Sequence, residues 1–326
     1  MTHKVAVIGA GLAGLSCSSY LRRAGCFVEV FEKERTLGGR VATVRNGLIA
    51  FDSGAQYLTA RSDRFRAYIN ELVSTGYAAR WEPKTAPGES KGVQLHTWYV
   101  GMPGMSSIVR PLAESVRVHT GKKVHTLRQT DKGWTVWLED ETSAGPFAAV
   151  AVAIPAPVAR LLLGRVEGMV EALSRVRMQP TWAVMVRLAE RTLPDQDVYS
   201  DMSEVLRWIA RNSSKPGRTV SGGGETVVIH ASPAWSRETE DADPEAVAQE
   251  LWSEVTRQLS LPDVTPQQMS AHLWSHGLVE QALGESFIYS THYKLGVAGD
   301  WCLGRLAEHA YDSGQGLGKA IIGSLT

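Results

Sequence analysis

Cysteine is scarce in this 326-residue sequence: Cys17, Cys26 and Cys302 are the whole complement, with no CxxC pair among them. An odd count at such spacing indicates neither a disulfide framework nor a cysteine zinc site, and it fits a reducing, cytoplasmic setting. Charge of one sign is not in excess either, since 34 Lys and Arg balance 34 Asp and Glu. A neutral chain lacks the basic footprint of a nucleic-acid or anionic-membrane binder. Long apolar runs are missing: the longest, FAAVAVAI at 147–154, is the size of a strand and falls far short of the ~18 residues that span a bilayer. The apolar stretch behind Lys4 is interrupted by glycines and followed by a strand pattern at Phe27, so it is not expected to be a leader peptide and Met1 is expected to be the mature start. There is no repeat, no low-complexity segment, no convincing Ser/His/Asp spacing, no metal cluster and no paired carboxylates. Nucleophilic, metal-assisted and two-carboxylate chemistries therefore have no visible machinery.

What is present begins at the N-terminus. Val5 to Ile8 is a short β-branched apolar run, as in a strand buried on both faces. Gly9, Gly11 and Gly14 follow in GAGLAG, and from Leu12 to Ala24 the apolar positions recur at helical spacing until Gly25 ends the helix. Phe27 to Phe31 resumes a strand, with Glu32 at its end. A GxGxxG turn between strand and helix, closed by an acid at the next strand's end, is the dinucleotide fingerprint. Its first glycine makes the turn, its second admits a pyrophosphate, its third lets the helix pack, and the helix N-terminus faces the phosphates. Glu32 is placed to accept from a ribose hydroxyl, and its charge disfavours a 2′-phosphate at this site.

Further along, residues 121–140 alternate apolar and polar around Asp131-Lys132-Gly133, two strands and a turn. FAAVAVAIPAP is a buried strand stopped by prolines. After about Ala159 the texture changes: Trp182, Trp208, Trp235, Trp252 and Trp274 are spread through mixed strands and helices, broken by SSKPGR and SGGGE. Asp243-Pro244 starts an amphipathic helix with Val247, Leu251, Val255 and Leu259 on one face. Leu295 to Ala298 is another short strand, ending in Gly299-Asp300, and a last helix is expected from about Ser313. No second GxGxxG follows a strand, so a separate NADPH domain is not expected, and electrons should come from a substrate bound against the cofactor.

Leu37-Gly38-Gly39-Arg40 and the segment Phe51 to Tyr57 follow the fingerprint, and the chain resembles the flavin-containing amine oxidase superfamily in its GAGLAGL turn, acid, GGR and distal Gly-Asp. The resemblance implies an α/β fold: a glutathione-reductase-like, Rossmann-type FAD-binding domain (1–80, 105–160 and 289–326) with a second, α+β substrate domain (81–104 and 161–288). It implies non-covalent FAD held by Gly9, Gly11, Leu12, Ala13, Gly14, Glu32, Lys33, Gly39, Arg40, Val124, Asp300 and Ala310. Arg40 would meet the pyrophosphate, Asp300 the ribityl chain, and Ala55-Gln56 would lie beside the isoalloxazine. The helix after Asp300 would point its positive end at flavin N1/C2=O. AEHAYDSG departs there from the superfamily's commoner EGA turn. Cys302, beside Trp301, has no counterpart of the flavin-linked cysteine segment of monoamine oxidases.

WYVGMPGMSSIVRPL, MQPTWAVMVRL, WIARNSSKPGR, HASPAWSR and AGDWCLGR together are similar to the bacterial branch of the renalase family. That resemblance implies an oxidase that returns misreduced 2- or 6-dihydropyridine isomers of NAD(P) to NAD(P)+, with flavin N5 taking the hydride and dioxygen yielding hydrogen peroxide. No base is needed, because the substrate ring nitrogen carries no proton to remove; stacking and orientation suffice. Candidate substrate contacts are Tyr57, Trp182, His230, Trp274, His276 and Trp301, with Arg211 and Lys215 for phosphates. An amine oxidase or desaturase on the same scaffold, or a flavin-bearing sensor without turnover, are the alternatives.

Overall fold

The computed structural model describes residues 2–325 other than 48, 86–95, 165, 167, 219, 221 and 222. Ser221 and Gly222 of the SGGGE break, and residues 86–95 of the expected 81–104 segment, lie outside the described residues. A six-stranded sheet runs in the order Ile288–Ser290, Leu295–Val297, Ala149–Val152, Lys4–Ile8, Phe27–Phe31, Arg117–His119. It is parallel except at the Ile288–Ser290 edge. Lys4–Ile8 is central and buried on both faces, which is why it reads as a continuous apolar run. Val5 and Val7 pack with Leu15 and Leu21 of the helix Leu12–Arg23, while Ala6 and Ile8 face Trp134, Val136 and Phe147 of a three-stranded meander.

The 147–154 run does not form one strand. Phe147 ends the last meander strand, Ser143–Phe147, and Ala149 opens the parallel strand; the Ala148 N–H between them donates to the Lys4 carbonyl at 2.7 Å. The last helix spans Ala307–Leu325, starting ahead of the expected Ser313. Its first turn is polar in sequence but bonded in space: the Glu308 carboxylate accepts the N–H groups of Arg61 and Ser62 at 2.9 and 2.8 Å. This helix crosses Leu12–Arg23 closely, because a Cβ on Gly314 would lie 2.1 Å from the Ala13 carbonyl oxygen. The glycines of SGQGLG therefore serve helix packing, not phosphate binding.

The second unit is a five-stranded antiparallel sheet, ordered Val198–Ser200, Leu206–Arg211, Glu225–Ala231, Arg177–Leu188, Gln268–Gln281. The helix Pro244–Gln258 covers one face, its N-cap Asp243 accepting the Glu245 and Ala246 N–H groups. Val247, Leu251, Trp252 and Val255 pack there against Trp182, Val184, Val227 and Ile229. The opposite face carries the cross-strand row Trp208, His230, Ala183, His272. The chain thus has two domains, Rossmann-like and antiparallel. Among the described residues no helix is long and apolar enough to cross a membrane.

Candidate cofactor and substrate site

Gly9 takes φ +100° where the first strand ends, and a Cβ there would sit 2.5 Å from the Ala153 carbonyl oxygen; at Gly14 it would be 1.9 Å from that of Gly9. The turn and the helix packing close both positions to any side chain. Gly11 differs, since an added Cβ meets nothing nearer than 3.9 Å. The protein itself does not demand glycine there, but a pyrophosphate approaching the backbone does. Gly11 is also the helix N-cap and no side chain caps it, which leaves the first-turn N–H groups of Leu12 and Ala13 for an anion.

Glu32, 7% exposed, accepts the Ala10 N–H at 2.7 Å and the Glu34 N–H at 2.9 Å, so its carboxylate is fixed at the mouth of the turn. Val124 opens a meander strand two residues after Lys122, whose N–H donates to the Glu32 carbonyl at 2.7 Å. Lys33 is exposed and pairs with Glu34 at 3.2 Å. Gly38 and Gly39 have φ of +119° and +55°, and the Gly38 N–H donates to the Ala10 carbonyl at 3.0 Å. The GGR segment is thereby laid against the glycine turn.

Arg40 then reaches across 260 positions: its two terminal nitrogens donate to the two Asp300 carboxylate oxygens at 2.8 and 2.6 Å. A forked pair of this kind is geometrically specific, and it joins the segments expected at the pyrophosphate and at the ribityl chain. Behind Asp300, the Ser313 hydroxyl accepts the Gly299 N–H at 3.0 Å, and Ala310 is half-buried in the same helix. Burial pushes the Cys302 thiol up to about 12, so no thiolate is at hand for a covalent flavin bond.

The segment 52–57 is held from behind by buried charge. Asp52 has its Oδ1 on the Met105 N–H at 2.9 Å and the Thr43 hydroxyl at 3.0 Å. Its Oδ2 accepts from Lys215 Nζ at 3.3 Å and from Arg218 Nε and Nη2 at 3.1 and 2.5 Å. Burial alone would raise the Asp52 carboxyl, but the two cations outweigh it and hold the group below the usual carboxylate range. Lys215 Nζ also donates to Gln56 Oε1 at 3.0 Å. Burial pushes this ammonium down to about 8, against the pull of Asp52. Gly54 backs onto Arg40, where a Cβ would lie 2.1 Å from the carbonyl oxygen that the Ala55 N–H also reaches at 2.8 Å.

Two long side chains from the antiparallel sheet converge on the Ser53 carbonyl: His230 Nε2 at 3.1 Å and Trp274 Nε1 at 3.0 Å. A carbonyl only accepts, so Nε2 carries the imidazole proton. Burial pushes His230 down to about 4, leaving the ring neutral. The Ser53 hydroxyl, fully buried, has no partner among the described residues. Tyr57 stacks face to face on Trp98, 3.8 Å between centroids at 7°, with Trp208 at 5.7 Å from Tyr57 and Trp81 at 5.5 Å from Trp98. Burial raises the Tyr57 phenol, and the charges acting on it are Arg207 and Arg61. Arg207 occupies the register shift between Leu206 and Trp208, a bulge of the kind that re-aims a side chain. Neither guanidinium pairs with a carboxylate among the described residues.

Four expected substrate contacts are placed elsewhere. Trp182 belongs to the helix-covered face, 2% exposed, its Nε1 donating to the Thr239 carbonyl at 3.2 Å; strand alternation puts it opposite His230's face. Trp301 is fully buried behind Asp300, with its Nε1 on the Ile154 carbonyl at 3.0 Å. Arg211 is spent on Asp197, Glu225 and three carbonyls, and Lys215 on Asp52 and Gln56. Neither cation can meet a phosphate without abandoning a buried carboxylate. His276 is half-buried on the strand that carries Trp274. Trp98, Trp208, Arg207, Asp52 and Arg218 join the site without having been singled out. Only the pairing of strands, which puts Trp208 beside His230, marks that residue as part of the site.

Residues 77–315 match the family described as flavin containing amine oxidoreductase, and residues 7–72 match an NAD(P)-binding Rossmann-like domain. The chain belongs to the flavin-containing amine oxidoreductase family. Its cofactor is FAD, and the open side of Gly11, the uncapped helix and the orphaned Ser53 hydroxyl fit that group. The chain is 44% identical over 69 residues to 15-cis-phytoene desaturase of Synechococcus elongatus and 37% identical over 70 residues to protoporphyrinogen oxidase 2 of Arabidopsis thaliana. Each match covers 21% of this chain and 14% of the relative, a small part of those proteins' length. Its fold is that of the "Putative protoporphyrinogen oxidase" from Exiguobacterium sp. 255-15, with a TM-score of 0.77, 11% identity, and 98% of this chain and 99% of that one covered. A double mutant of putrescine oxidase shares it at a TM-score of 0.70, with 12% identity and 99% of each chain covered.

Proposed function

We propose that this family member is an oxidase of misreduced pyridine dinucleotides, returning the 2- and 6-dihydro isomers of NAD(P) to NAD(P)+. The similarity to the bacterial renalase family motivates the substrate. The observation that carries it is the wall beside the 52–57 segment: an aromatic stack, Tyr57, Trp98 and Trp208, with two cations and, among the described residues, no carboxylate acting on Tyr57. An ammonium substrate would be repelled there. It would also find no gap between rings, since Tyr57 and Trp98 are already in contact. A carotenoid-like substrate calls for an apolar approach, which Arg61 and Arg207 do not provide. A pyridine dinucleotide brings a flat ring to stack and phosphates for guanidinium forks.

FAD, when bound, accepts two electrons from the substrate and passes them to dioxygen, giving hydrogen peroxide. The protein's own residues bind and orient. His230 and Trp274 pin the Ser53 carbonyl, Lys215 and Arg218 pin Asp52, and the loop between presents Ala55 to Tyr57 in one geometry, which is where orientation contributes to rate. His230 holds its Nε2 proton on the Ser53 carbonyl and burial lowers its basicity, so it is a weak base, and the reaction requires none.

The test is anaerobic mixing of the purified yellow protein with the 2- and 6-dihydro isomers of NAD and NADP, with ordinary NADH, and with simple amines such as putrescine. Rapid bleaching of the flavin by an isomer, followed in air by sustained peroxide formation, is expected. Bleaching by amines and not by the isomers would replace this reading with an amine oxidase. Absence of turnover with any donor would leave a flavin-bearing sensor.

A further inference from the structure

We infer that Lys215 raises the reduction potential of the bound flavin, as the uncompensated charge of a buried Asp52–Lys215–Arg218 cluster seated behind the Ser53–Tyr57 segment. The side chains of Asp52 and Lys215 are 0% exposed and that of Arg218 is 1%. One carboxylate thus faces two cations. The remaining partners are neutral: the Gln56 amide, the Met105 N–H, the Thr43 hydroxyl, the carbonyls of Gly101 and Pro216, and the Trp81 ring 5.3 Å from Lys215 Nζ. His230, which feels the Lys215 charge, is uncharged. The cluster therefore stores one positive charge away from water, where an unmatched ion is costly.

That charge is connected to the segment expected beside the isoalloxazine. Gln56 Oε1 accepts from Lys215, while Gln56 Nε2 donates to the Asp52 and Gly54 carbonyls at 2.5 and 3.0 Å. When a donor C–H bond breaks and its hydrogen leaves with both electrons, the donor gains one positive charge and the flavin ring gains a hydrogen and one negative charge. A fixed positive charge behind the ring favours the reduced, anionic form over the neutral oxidised one. A unit charge roughly 10 Å away, at an effective dielectric of about 20, changes such an equilibrium by about tenfold. For a two-electron couple that is about 30 mV. Lys215 is a positioning residue that does not touch the flavin, and its charge acts through the loop.

The experiment measures the flavin midpoint potential of the intact holoprotein, by slow anaerobic reduction against a reference dye, with no substrate present. Lys215→Met should lower it by about 30 mV, a tenfold shift, while Lys215→Arg, which keeps the charge, should stay near the wild type. An unchanged potential in Lys215→Met, or equal falls in the Met and Arg variants, would overturn the inference. If the Met variant cannot retain FAD, the wild type decides: a bound potential below that of free FAD in the same cell would overturn it, and one above supports it. The inference rests on FAD lying against this loop and not on the identity of the substrate. A protein with the expected potentials that ignores every dihydropyridine isomer would lose the substrate assignment alone.

Discussion

Arg211 offers a sharp decision between two roles for one residue, a substrate phosphate contact or an internal clamp. In the structure its side chain is 5% exposed, and its Nε lies 3.0 Å from Asp197 Oδ1. Nη1 pairs with Glu225, and Nη2 donates to the carbonyls of Leu193, Pro194 and Gln196. Glu225, 3% exposed at its side chain, also accepts the Thr192 and Leu193 N–H groups at 2.7 Å each, and Asp197 accepts the Lys84 N–H at 2.9 Å. Arg211→Met would leave both carboxylates without their cation. Breaking a buried pair in this way costs roughly 3–5 kcal/mol, because the stranded charge stays buried. At about 2 °C per kcal/mol for a protein of this size, the midpoint of flavin release on heating should fall by roughly 6–10 °C. Lys would restore a point charge but not the fork, so Arg211→Lys should recover less than half of the loss. Measured at a temperature where each variant is folded, KM for the proposed dihydropyridine substrate should not change. A variant that melts with the wild type yet shows a strongly raised KM would refute the clamp and return Arg211 to the phosphates.

Three further outcomes follow from the same geometry. Arg207→Ala should raise KM for the dihydro isomers by about tenfold or more, the worth of a charge-assisted hydrogen bond, with the visible flavin spectrum unchanged; an unaltered KM would remove Arg207 from substrate binding. Asp300→Ala strips Arg40 of its forked partner and should weaken FAD retention by at least about tenfold, read as flavin lost on gel filtration; a fully flavinated variant would count against the assignment. His230 is held near 4 in the fold against ~6.5 when unfolded. Its contribution is therefore complete above ~6.5 and is lost as pH falls towards 4, at about 1.4 kcal/mol per pH unit. Urea titrations between those values should show one fewer proton of linkage in His230→Gln, and identical pH slopes would refute the burial argument.

The elements that could be read directly are those whose cause lies within a few residues of their effect. Strand, glycine turn, helix and strand over 5–31 follow from local spacing, because the positive φ of Gly9 and the contact of Gly14 with the Gly9 carbonyl both lie inside one βαβ unit. The helix at Asp243-Pro244 follows because its cap bonds are two and three residues away. Glu32 is similar: the N–H it accepts belongs to the turn that announced it. Where partners are distant, residue type misleads. Lys215-Pro-Gly-Arg218 reads as a solvated basic turn, yet Asp52, 163 and 166 positions away, draws both cations out of water. Trp182 and Trp274 are equally plausible platforms by composition, and only the pairing of strands puts one against the helix and the other on the Ser53 carbonyl. The sequence by itself determined the nucleotide-binding half and, through its resemblance, the flavin. The tertiary structure alone decided which aromatic and basic residues face the 52–57 loop, because a side chain's face is set by register, and a buried charge by a partner that chain order does not reveal.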